Sequence, residues 1–194
     1  AEGLKKQRQV AENAIEILLC ISLPFLVGIY FIGDRLLMFI YENQSFVDGA
    51  IILHIISLSL ITAAFSRPFN LLLIANGLEK LNLIEVAITT VVGGLAGIIL
   101  ISQFKLMGAA YMSLAISFTN FSVMLFFVST RLFVLRFLKI MRRPISISIL
   151  MSIVFLVLDR IGQNNLIVTI SIATLSYLVF AGLLIPRKPG GAYF

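Results

Sequence analysis

Apolar residues run through this chain in long blocks, separated by short polar stretches. The blocks fall at 14–32, 50–75, 83–102, 108–130, 145–161 and 166–186. Most approach the roughly 20 residues that a helix needs to cross a bilayer. None shows the strict two-residue alternation of a half-buried strand, so six transmembrane helices are expected. The fifth is the shortest uncharged run, since Asp159 and Arg160 interrupt its far end. Residues 1–13 are polar and of mixed charge, which reads as a water-exposed lead-in. Residues 33–49 form a connecting segment with an apolar middle, expected to lie at the interface. Asn76–Asn82 is a short turn in which Gly77 can stop a helix. Residues 103–107 make a tight link between the third and fourth spans.

The stretch 131–143 has a different pattern. At 100° per residue, Arg131, Arg136, Lys139, Arg142 and Arg143 fall within about 140° of arc, with Phe133, Val134, Phe137, Ile140 and Met141 opposite. This predicts a basic amphipathic helix lying on an anionic leaflet, with the five cations as lipid-headgroup contacts.

Composition agrees with the pattern. Of 194 residues, 60% are hydrophobic and 12% charged, against about a quarter charged in soluble domains. An all-α integral membrane bundle follows. With the N-terminus inside, the cytoplasmic segments hold eleven of the 15 lysines and arginines: Lys5, Lys6, Arg8, Lys80, the five of 131–143, Arg187 and Lys188. The outer segments hold Arg35, Lys105 and Arg160. Both termini are therefore expected in the cytoplasm. One cysteine and one histidine leave no internal disulfide and no metal set, and no phosphate loop or nucleophile–base pair is present. No enzyme activity, metal or cofactor is expected. Nucleic acid is a poor partner despite the net charge of +6, because the basic segment lies between spans.

The remaining charge, Arg67, sits beside Pro68 inside the second apolar block. An arginine at the bilayer centre costs about 2.5–3.5 kcal/mol on insertion scales, so it normally faces a cavity or a partner. Proline removes a backbone donor and frees a carbonyl one turn back. Arg67 and Asn70 are thus candidate substrate-binding residues, in company with Leu60, Ala63, Ala64, Leu71 and Ile74 on the same face. The plainer reading pairs Arg67 with Glu85 or Glu16, bonds it to the carbonyl freed by Pro68, or places it at the cytoplasmic edge of a span that ends near Phe65. Glu16 and Glu85 lie within a turn of cytoplasmic boundaries and are expected to be solvated. Gly93, Gly97 and Gly108 are read as helix-packing positions, and His54 as a hydrogen-bonded packing residue.

Residues 72–77, LLIANG, followed by Glu79, Lys80 and Asn82, a fresh span, and then FKLMGAA at 104–110 resemble the polysaccharide flippases. These include O-antigen and exopolysaccharide translocases of the multidrug/oligosaccharidyl-lipid/polysaccharide exporter superfamily. The resemblance covers about residues 15–130; the last two spans agree in number and polarity. Members usually have about twelve or more spans in two related halves. The resemblance therefore implies spans seven to twelve, a C-terminal half whose N-terminal half lies in the same or a separate chain. It implies flipping of a polyprenyl-diphosphate-linked glycan across the inner (plasma) membrane by alternating access. Alternatives are a cation-coupled multidrug antiporter of the same superfamily, which needs intramembrane carboxylates, and a non-transporting scaffold subunit.

Overall fold

The computed structural model describes residues 2–41, 48–161 and 165–184, and every described element is helical. The helices are α1 (Glu2–Tyr41), α2 (Asp48–Ala75), α3 (Glu79–Arg131), α4 (Phe137–Arg160) and α5 (Leu166–Leu184). The chain is a multi-pass membrane protein: α1 to α4 are each long and apolar enough to cross a bilayer. Large side chains such as Leu83, Ile98, Leu106 and Leu175 stand exposed on the bundle surface, as lipid-facing residues do.

Five helices replace the six expected, because the third and fourth blocks form one element. A straight helix of 53 residues would run about 80 Å, more than twice the hydrocarbon thickness. The break is at Lys105, whose φ of 49° and ψ of −120° are non-helical. There α3 folds back on itself. Gly93 lies against Ile116, Gly97 against Met112 and Gly108 against the backbone of Leu100, an antiparallel register centred on residues 104–105. The link expected at 103–107 is therefore a turn tight enough for the two arms to touch along their length. Lipid is as apolar as the helices, so close packing of this kind drives association.

Two further expectations need correction. First, α1 starts at Glu2, so the lead-in is helical, held by the Arg8–Glu12 pair one turn apart at 2.8 Å. At its other end α1 continues through Pro24 to Tyr41, taking in the apolar half of the expected interfacial connector; residues 42–47 lie outside those described. Second, 131–143 is not one helix. Leu132 ends α3 with φ −121° and ψ −73°, the chain runs irregularly to Arg136, and α4 begins at Phe137. The reason is packing. Leu135 is buried, and Phe133 and Phe137 pack onto the core, with the Phe65 and Phe137 rings 5.9 Å apart. A continuous helix would have carried these side chains away from the bundle. The earlier start, with Pro144 inside α4, also supplies the length the fifth span lacked. The sixth span is described only to Leu184, and Arg187 and Lys188 lie outside the described residues.

α1 is central. It packs on α2 and α4, α2 also packs on α3, and α5 lies against α4 and α1. One core layer joins Ile15 and Leu19 of α1, Phe65, Phe69 and Leu73 of α2, Met124 and Val128 of α3, and Ile140 of α4. A second joins Met151 and Phe155 of α4 to Ala173 of α5, with the Phe31 and Phe155 rings stacked at 5.3 Å. Ion pairs tie α1 to α4 at both ends: Arg143–Glu16 at 2.9 Å and Arg35–Asp159 at 3.0 Å. The segments assigned to one side by charge thus meet at one end, and Arg35 meets the segment of Arg160 at the other. Gly77, at φ 69°, closes α2 where a Cβ would be strained, and Leu78 N–H donates to the Leu73 carbonyl at 2.8 Å.

Candidate functional site

Ser66, Arg67, Asn70 and Leu71 of α2 face Asn120 and Met124 of α3 across an open groove of about 420 Å³. The two expected binding residues, Arg67 and Asn70, therefore line one concavity. Arg67 lies eight residues before the end of α2, about 12 Å along the axis. Its side chain is exposed and has no ion-pair partner among the described residues. The plainer pairings fail on geometry: Glu16 is held by Arg143 at 2.9 Å, and Glu85 accepts from Asn120. Of the other residues expected beside Arg67, Ala64 is buried in the core, whereas Leu71 and Ile74 are exposed. The face therefore divides between core and groove.

Glu85 is the largest departure from expectation. Rather than solvated, it is 2% exposed, and Asn120 Nδ2 donates to its Oε1 at 2.6 Å. Although it lies near the start of α3, the returning arm of α3 covers it. Asn120 links the groove to this buried carboxylate. On the other side Asn82 Nδ2 donates to Asn70 Oδ1 at 3.3 Å. Five polar residues, Arg67, Asn70, Asn82, Glu85 and Asn120, thus gather between α2 and the two arms of α3. Ser66 Oγ, in the groove lining, and Asn82 Oδ1, in this cluster, are buried with no hydrogen-bond partner among the described residues. Native proteins rarely leave such atoms unsatisfied, and each calls for an explanation such as a ligand or water. Elsewhere in the spans, serine and threonine hydroxyls mostly donate to carbonyls three or four residues back, as Ser57 does to His54 at 2.7 Å and, within α4, Ser148 does to Pro144 at 2.8 Å.

The other singled-out residues lie apart from this groove. His54 Nε2 donates to the Ile29 carbonyl at 3.1 Å and packs 5.5 Å from the Tyr30 ring. Gly93, Gly97 and Gly108 lie inside the α3 hairpin. Arg136, Lys139 and Arg143 meet the N-terminal part of α1 in a second, polar pocket; Arg131 and Arg142 are exposed outside it. Among the described residues no group of histidine, cysteine, aspartate and glutamate is placed to hold a metal.

No family model and no curated protein sequence matches the chain. A solved structure does. The fold is similar to that of the lipid II flippase MurJ in an inward closed conformation, with a TM-score of 0.74 at 19% sequence identity. The match covers 92% of this chain and 39% of MurJ. The chain thus shares its fold with about two-fifths of that transporter.

Proposed function

We propose that this chain forms one half of a flippase that moves a polyprenyl-diphosphate-linked glycan across the inner membrane for surface polysaccharide synthesis. The observation that carries the reading is Arg67: a guanidinium with no ion-pair partner among the described residues, on a membrane-length helix and open to a groove that it shares with Ser66, Asn70 and Asn120. A guanidinium holds phosphate oxygens through two parallel hydrogen bonds, which suits a diphosphate better than an ammonium does. Asn70 and Asn120, lining the same groove, offer amides to phosphate or sugar hydroxyls. The polyprenyl chain can stay in lipid throughout. The shared fold with part of MurJ supports the transporter reading, and the resemblance at 72–82 and 104–110 supports the polysaccharide class. The remaining spans come from an N-terminal half in the same or a separate chain, and rocking of the two halves exposes the groove to each leaflet in turn. Both termini are then cytoplasmic.

The test is the leaflet distribution of the lipid-linked oligosaccharide in cells lacking the full gene. Accumulation on the cytoplasmic leaflet, relieved by the wild-type gene, is expected. An unchanged distribution would remove the reading.

Glu85 favours a second reading, cation-coupled transport, since a buried carboxylate with an amide partner can exchange a proton or a small cation. Glu85→Gln is expected to fold normally, because the glutamine oxygen still accepts from Asn120. If Glu85 couples, transport by this variant no longer responds to collapse of the proton or sodium gradient. A response equal to wild type would exclude Glu85 as the coupling group.

A further inference from the structure

The second polar pocket, about 480 Å³, lies where the N-terminal part of α1 meets the start of α4. Five cations line it: Lys5 and Arg8 from α1, and Arg136, Lys139 and Arg143 from the other side. Two carboxylates share the pocket, and the protein itself uses both. Glu12 accepts from Arg8 Nε at 2.8 Å and from the Arg136 backbone N–H at 3.2 Å, and Glu16 from Arg143 at 2.9 Å. The Lys5, Lys139 and Arg136 side chains have no ion-pair partner among the described residues, so the pocket carries a net charge of about +3 at neutral pH.

Exposed apolar side chains neighbour these cations along the chain, outside the pocket lining: Leu4 precedes Lys5, Val134 is two residues from Arg136, and Leu138, 92% exposed, precedes Lys139. A soluble anion would leave those side chains in water. An amphiphile with an anionic head and an apolar tail fits both features at once. The pocket lies at the end of the bundle opposite the Arg35–Asp159 pair; Glu16 and Arg35 stand about 28 Å apart along α1, close to the hydrocarbon thickness of a bilayer.

We propose that this pocket binds the phosphate of an anionic lipid headgroup, bridging α1 and α4. This goes beyond the transport reading and does not need it. The site differs from a basic strip on one helix in two ways: α1 contributes Lys5 and Arg8, and Arg131 and Arg142 have no part in it.

The test is thermal unfolding of the full gene product in detergent, followed by circular dichroism, with added dioctanoyl phosphatidylglycerol, dioctanoyl phosphatidylcholine or inorganic diphosphate. A ligand that binds only the native state raises the melting temperature with its concentration. Phosphatidylglycerol is expected to stabilise the wild type, with little effect of phosphatidylcholine. The Lys5→Gln, Lys139→Gln double variant removes two cations that hold no ion pair. It is expected to melt like wild type without lipid and to need about tenfold more phosphatidylglycerol for the same rise. The matched Arg131→Gln, Arg142→Gln variant, with the same charge change outside the pocket, is expected to respond as wild type. Equal weakening in both variants, or equal stabilisation by phosphatidylcholine, would overturn the pocket. A full effect from inorganic diphosphate would overturn the lipid as its occupant.

Discussion

Replacing Arg67 with alanine is expected to leave a folded, membrane-inserted protein that no longer moves lipid-linked glycan. The side chain is exposed and has no ion-pair partner among the described residues, so its removal strands no buried charge. Surface changes of that kind usually fall within about 0.5 kcal/mol, and losing a membrane charge makes insertion easier. Function depends on the same group differently. Two hydrogen bonds to a charged phosphate contribute about 1.5–3 kcal/mol each, so their loss reduces transport on the order of 100-fold or more. Arg67→Lys keeps the charge but not the fork, and should fall between the two. The measurement pairs protein abundance in the membrane with the leaflet position of the oligosaccharide in complemented cells. Wild-type export by the alanine variant, at wild-type abundance, would remove Arg67 from the site.

What the sequence shows about this site follows from where each residue's surroundings lie along the chain. Arg67 and Asn70 were legible because a charge inside an apolar block is conspicuous without any neighbour, and their spacing puts them near each other on one helix. Asn120 and Glu85 were not. Their environment is set by the fold-back of α3, which brings together residues 35 positions apart, and no periodicity on either arm records that contact. The same holds for helix limits. Gly77 marks the end of α2 through its own backbone preference, whereas the break at 132–136 depends on where Leu135, Phe133 and Phe137 find a core. An amphipathic pattern over 131–143 is compatible with a helix on a membrane surface and equally with a chain that turns to bury its apolar residues. Only tertiary packing separates the two. Lys105 is a further case: its position in a polar link was plain, but not how closely the arms approach.

That approach sets the second large effect. A Cβ placed on Gly108 would overlap the Leu100 carbonyl oxygen and carbon and lie 2.8 Å from the Ile101 Cα. All three are backbone atoms, which no rotamer change can move. Gly108→Ala must therefore push the arms of α3 apart near the turn, loosening the contacts of Gly97 with Met112 and Gly93 with Ile116. Overpacking typically costs 1–3 kcal/mol and occasionally more; with a clash against backbone, about 3 kcal/mol or more is expected for alanine, and failure to accumulate for valine. Gly94 supplies the internal control, since a Cβ there meets nothing within 4 Å. Alanine is favoured over glycine in a helix interior by about 1 kcal/mol, so Gly94→Ala should be neutral or stabilising. Gly93→Ala meets only the Ile116 side chain, at 2.8 Å, which can shift, and should fall between. Melting temperatures of the three purified variants read this order directly. A Gly108→Ala protein that melts with or above wild type would mean that the two arms of α3 do not touch at the turn end of the hairpin.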